Sequence, residues 1–171
     1  MKKKRKVPGE GKDTSFRVVS GQLTVSDPTH EIGDMRQGVV DDAKKGTWIS
    51  EAVVVRGKVK EIVAVHCDFY GSKLQWDEGF EEISGAGRVG IFDSDHYQND
   101  KLVKKKMMLE DFNTDRPWVS MCGKVSTPFG AIPYGVVTLV GTSHYDFAMP
   151  YEIAIEDESV VGVRIRLDKV K

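Results

Sequence analysis

GAGRVGIFD, Gly85 to Asp93, carries Gly85, Gly87 and Gly90 at the spacing G-x-G-x-x-G, and it decides between two architectures. In a dinucleotide-binding α/β fold, a buried strand precedes the first glycine and a helix starts at the third, because the pyrophosphate rests on the amides of that helix's N-terminus. Here the order is inverted. Residues 79–84, GFEEIS, make a poor buried strand, and Ile91-Phe92-Asp93 prolong an extended segment past Gly90. Glycines so placed suit a tight bend and a strand that another group approaches closely. The segment therefore reads as part of a β-rich domain and not as a nucleotide site.

The flanking sequence carries the same pattern. FRVVSGQLTVSDP, Phe16 to Pro28, offers two short strands interrupted at Gly21 and stopped at Asp27-Pro28, where proline removes a ladder donor. Residues 29–46 read as a loop with at most a helical turn near Gly38 to Ala43. TWISEAVVVRG then alternates, with Trp48, Ser50, Ala52 and Val54 on one face. VKEIVAVHCDF, Val59 to Phe69, is the clearest strand; Val63, Val65, Cys67 and Phe69 form its apolar face, and Ile62, Ala64, His66 and Asp68 the other. Gly57 between these strands fits a hairpin.

Asp93 to Phe112 is the one stretch of helical character, and Leu102, Met108 and Phe112 make too ragged a stripe for more than a short peripheral helix. Strands are expected at Val119 to Val125, Gly135 to Gly141, Tyr151 to Glu156 and Val160 to Leu167, with a hairpin turn at residues 156–159. Short strands at close spacing favour an antiparallel β-sandwich or barrel-like domain over a parallel α/β sheet. The expected organisation is a basic flexible leader, residues 1–14, and a single β-rich domain, residues 15–171. A length of 171 residues, 40% hydrophobic and 30% charged, suits one globular domain.

Charge is divided unevenly. Residues 1–12 hold six Lys/Arg against one Glu, about +5, leaving about −6 for the rest of a chain whose formal net charge is −1. Lys2, Lys3, Lys4, Arg5 and Lys6 are consecutive, and KKKRKV resembles a monopartite nuclear import signal; the string also suits non-specific phosphate contact or a basic tag. Two cysteines, Cys67 and Cys122, are too few for a disulfide framework and lack zinc-ligand spacing, so both are expected as reduced, buried thiols. No apolar run has membrane-spanning length, which places the protein in the cytoplasm of a bacterial host, or in a nucleus if the leader is read as an import signal.

SGQLTVSDP (20–28), GTW (46–48), GRVGIFDSDHY (87–97) and the tail VVGVRIRL (160–167) occur in order. Together they resemble a family of small uncharacterised bacterial and phage proteins, in which S-G-x-L-x-V-S-D-P precedes a central S-G-x-A-G-I-F-D-x-x-Y. The likeness runs from Phe16 to Leu167; Ala86 and Val89 depart from the central motif, and the leader lies outside it. It implies a bacterial or viral origin and assigns no activity.

His66, Asp68, Asp93, Asp95 and His96 are the residues from which chemistry is expected, if any. Brought together they supply two imidazoles and three carboxylates, enough for a divalent metal site or metal-assisted hydrolysis, although their spacing matches no established ligand motif. The plainer reading makes Asp93 and Asp95 turn or helix-cap residues and Asp27 a turn former bonded to the backbone. Cys67 is placed opposite His66, Cys122 has no flanking base, and Ser94 and Ser126 lie outside any G-x-S-x-G elbow. The leading expectation is a non-catalytic interaction protein without a cofactor. It binds another macromolecule, a protein first of all, through loops and acidic surface, and the leader adds electrostatic attachment; a metal-dependent hydrolase is the alternative. Binding of the intact chain to heterologous DNA should vanish on deletion of residues 1–12 and weaken steeply between low and physiological salt, measured by fluorescence anisotropy. Retained binding by the truncated body would place the contact elsewhere.

Overall fold

The most regular alternation builds the longest ladder. β5 (Gly46–Val55) and β6 (Lys58–His66) pair antiparallel from Trp48↔His66 through Ala52↔Ile62. They are joined by Arg56 and Gly57, both at positive φ, as a two-residue hairpin turn requires. β14 (Ser159–Arg166) adds to β6, β13 (Tyr151–Glu156) returns beside it through a turn with positive φ at Asp157 and Glu158, and β7 (Asp77–Glu78) closes that edge. Two segments share the other edge: β2 (Ser15–Val18) pairs with Gly46–Ile49, and β1 (Arg5–Val7), part of the basic leader, pairs with Ala52–Val54.

The second sheet runs β10 (Phe129–Ile132), β11 (Gly135–Leu139), β9 (Arg88–Asp93), β3 (Leu23–Ser26), β4 (Gly38–Val40), and a small pair joins β8 (Ile83–Gly85) to β12 (Phe147–Met149). Every strand pair is antiparallel. This computed structural model describes residues 5–7, 14–29, 36–78, 82–85, 87–101, 117–125, 129–140 and 147–167. The two sheets form a sandwich and do not close into a barrel.

The main core lies between them. Trp48, Ile62, Val163 and Ile165 from the larger sheet meet Leu23, Val25, Ile91 and Val136 from the smaller, all fully buried. Each such aliphatic side chain contributes about 1.5–3 kcal/mol by leaving water. The smaller sheet is also covered on its other side, where Phe92 and Val137 pack against Trp118, Met121 and Cys122 of the helix Pro117–Val125. A strand buried on both faces loses its alternation, which is why β9 reads as a continuous apolar run.

Strand β9 runs unbroken through the third glycine of the opening motif, and its neighbours explain the glycine. A Cβ at Gly90 would lie 2.3 Å from the Val136 carbonyl oxygen and 2.5 Å from the Phe92 ring, and one at Gly135 would lie 2.3 Å from the same ring. Both glycines make room for one aromatic side chain.

Three local expectations are corrected. Residues 117–125 are helical and not a strand: Pro117 starts the helix, where its missing N–H costs nothing. Trp118, Met121 and Cys122 then recur at helical spacing on the buried side, which the β-branched Val119 and Val125 disguised. Gly38–Val40 is an edge strand and not a helical turn, and β6 ends at His66, where Cys67–Phe69 turn into a 3₁₀ helix. Residues 102–112 of the stretch read as helical lie outside the described residues. Gly90→Ala is expected to destabilise the protein by about 2 kcal/mol through overpacking. Gly87→Ala, where a Cβ meets nothing within 4 Å, should stay within about 0.5 kcal/mol of the parent; urea melts of the pair check this.

Candidate functional site

Two loops carry the chain from one sheet to the other, and they meet at one end of the sandwich. Val19–Gln22 links β2 to β3, and Asp41–Lys45 links β4 to β5. The Ala43 amide donates to the Gly21 carbonyl at 2.9 Å, and Gln22 Nε2 donates to Asp41 Oδ1 at 2.8 Å. Four of the five residues singled out for chemistry fall into two groups at this end, and Asp95 joins neither.

The first group centres on Asp93, the last residue of β9 and fully buried. Its Oδ1 accepts from Val19 N at 3.1 Å, Ser20 N at 3.0 Å and Ser20 Oγ at 2.7 Å. Its Oδ2 lies 2.6 Å from His96 Nδ1. A carboxylate accepts only, so Nδ1 carries the proton. The His96 ring stacks on Tyr134, centroids 3.5 Å apart and planes at 11°. Asp93 does not cap the 3₁₀ turn Ser94–His96 that follows it; its carboxylate reaches across to the crossover loop instead. Asp95 is exposed and stands apart.

The motifs that carried the family resemblance are neighbours here. β3 and β9 pair from Leu23↔Asp93 to Ser26↔Gly90, and Thr24 Oγ1 meets Ser94 Oγ at 2.9 Å. Ser26 donates to the Tyr97 hydroxyl, and Asp27 takes Thr29 N at 2.9 Å and Arg88 N at 3.3 Å. Asp27 thus serves its own turn, as expected, and also the start of β9. Burial pushes the Tyr97 phenol well above its usual range, as it does the Cys122 thiol inside the second cluster. Burial thus favours the protonated form of both groups.

The second group surrounds His66, which faces the core at 4% exposure. This corrects the expected face: Ile62, Ala64 and His66 point inward, while Val63 and Val65 lie on the outer side of the sheet. Nε2 bonds the Lys45 carbonyl at 3.0 Å and Nδ1 accepts from Asp68 N at 3.1 Å, so the proton sits on Nε2. Gly46, at φ 129°, clears the ring, since a Cβ there would lie 2.8 Å from Nε2. Because the strand stops at His66, Cys67 does not point away from it. Cys67 is exposed, with Sγ 4.0 Å from His66 Nδ1 and 3.8 Å from Asp68 Oδ1. Among the described residues, His66, Cys67 and Asp68 are the only trio of such side chains with ligand atoms all within 4.8 Å of one another. The five expected residues therefore do not form one site. The signal overlooked was Asp68, a residue depleted in strands, directly after the His-Cys pair.

A third feature lies on the outer face of the larger sheet. Ile49, Val53, Val63 and Val65 floor a groove of 330 Å³, walled by Phe69, Tyr70, Leu74 and Trp76. Glu51 and Glu61 line it with Arg164, whose guanidinium bonds Glu152 and lies 4.6 Å from the Trp76 ring centroid. Tyr70 donates to Glu51, and this bond holds its phenol above the usual range.

Comparison with protein-family models, curated proteins and solved structures finds no match for the chain. No helix among the described residues is long and apolar enough to cross a membrane. Asp93→Ala, which strips four donors of their acceptor, should cost about 3–5 kcal/mol of stability. Asp95→Ala on the same turn should cost less than about 0.5 kcal/mol; a small Asp93 effect in denaturant melts would deny the carboxylate its anchoring role.

Proposed function

We propose that this protein is a non-catalytic interaction protein of bacterial or phage type that holds an extended protein segment in the outer-face groove. The observation that carries this reading is the contrast between the two sheets. The helix Pro117–Val125 covers the outer side of the smaller sheet, whereas the larger sheet presents four aliphatic side chains beneath aromatic walls. Apolar floors ringed by aromatic and polar groups are what partners bury in recognition, and Trp and Tyr are the residues most often decisive there.

Charge selects the kind of segment. Arg164 is engaged by Glu152 and Trp76, and the two carboxylates of the lining, Glu51 beside Tyr70 and Glu61 beside Arg166, belong to a body of net negative charge. A segment alternating apolar residues with Lys or Arg complements such a groove, its apolar positions on the half-buried Val53 and Val63 and its cations at the rim. The Asp93–His96 pair supports this reading over hydrolysis, because the carboxylate is committed to backbone and hydroxyl donors of the crossover loop.

Selection of peptides from a displayed random library against the intact protein tests it, with Trp76→Ala and Val63→Glu as counter-screens. Enriched peptides should alternate apolar and basic positions and lose at least about tenfold in affinity to each variant, a change of roughly 1.4 kcal/mol. Enrichment that ignores both substitutions, or none at all, would overturn the assignment.

A further inference from the structure

We propose that His66, Cys67 and Asp68 form a binding site for Zn²⁺ at the rim of the sandwich. The site stands independently of the groove. Zinc takes imidazole nitrogen at about 2.0 Å, thiolate sulfur at about 2.3 Å and carboxylate oxygen at about 2.0 Å in tetrahedral array. Those bond lengths set donor separations of about 3.3 Å between nitrogen and oxygen and about 3.5 Å where sulfur is one partner. The separations here are 4.0 Å for Nδ1 to Sγ, 3.7 Å for Nδ1 to Asp68 Oδ2 and 3.8 Å for Sγ to the other carboxylate oxygen, Oδ1, and with a single carboxylate oxygen the three donors lie within 4.8 Å of one another. The donors must draw together on binding, by about half an ångström at the Nδ1–Sγ edge, and Cys67 and Asp68, both exposed, have room to do so.

The imidazole is already set for the task. A metal-binding histidine usually donates its second ring N–H to a carbonyl or carboxylate, which fixes the tautomer and turns the lone pair to the ion. Lys45 O provides that acceptor at Nε2, and Trp48 and Phe69 hold the ring edge-on at 6.3 and 6.5 Å between centroids. Nδ1 is therefore left with a lone pair, and the thiol sulfur lies 4.0 Å from it. At present Nδ1 takes the Asp68 amide at 3.1 Å; an ion on the same lone pair displaces that N–H, so the Cys67–Asp68 backbone turns away on binding and the exposed Asp68 leaves its amide to water. On binding, the Cys67 thiol releases its proton to solvent and becomes a thiolate ligand. Three protein donors leave the fourth position to water. The Asp93–His96 pair offers no equivalent, since Oδ1 already accepts three hydrogen bonds and Asp95 is turned to solvent.

Co²⁺ titration of the intact, reduced protein followed by absorbance gives a direct readout, because a cobalt–thiolate bond produces a charge-transfer band that carboxylates and imidazoles do not. The chain has two cysteines, one of them buried, so the band identifies its sulfur. One Co²⁺ per chain should raise the band, Zn²⁺ should abolish it by displacement, and Zn²⁺ should slow alkylation of Cys67 until EDTA is added. Cys67→Ser should remove the band, and Asp68→Asn should weaken binding at least about tenfold; both positions are exposed, and metal-free melts matching the parent would show that the fold is kept. Absence of a stoichiometric band in the parent protein, or a band that persists in Cys67→Ser, would overturn the site.

Discussion

The sandwich depends on a buried carboxylate. Asp93 ends the central strand of the smaller sheet, and it gathers two backbone amides and a hydroxyl from the loop in which the chain leaves the larger sheet. Hydrogen bonds to an ionised, desolvated group are about twice as strong as neutral ones, and leaving the group unpaired is costly. The Val19–Gln22 crossover can therefore take few other courses. Once it is placed, Gly21 receives the Ala43 amide, and the residues around Ala43 bond Val160 in the larger sheet. One side chain thus fixes a crossover, and that crossover registers the second.

The same end of the molecule shows how a histidine's surroundings separate two roles. His96 gives its Nδ1 proton to an internal carboxylate and lies flat on Tyr134, so it extends the anchoring network. His66 gives its Nε2 proton to a backbone carbonyl and accepts the Asp68 amide at the other nitrogen, beside a solvent-exposed thiol and carboxylate. Composition alone ranks the two alike. Tautomer and burial distinguish them, and both come from the loops packed against each ring.

Much of the fold was legible because period-two alternation survives wherever one sheet face is wet. β5 and β6 announce themselves through Trp48, Ser50, Ala52 and their partners, and the positive-φ turns were marked by Arg56-Gly57 and by the polar run at 156–159. Legibility failed where another force overrode the pattern. Residues 117–125 carry β-branched side chains, yet they cover an aromatic cluster best as a helix. Val63 and Val65 made the wrong face look like the interior, because the outer side of that strand is apolar as well. The candidate sites suffered most, since His66, Cys67 and Asp68 become neighbours only if the strand stops one residue before the cysteine, and boundary positions are what local sequence specifies least.

The ladder between Arg5–Val7 and Ala52–Val54 alters what a positively charged terminus means in this molecule. Any receptor that reads those residues as an open, outstretched ligand must first peel them from β5. Recognition of the tail is then coupled to fraying of a sheet border, and whatever frees that border also bares unpaired amides of β5 to a competing strand.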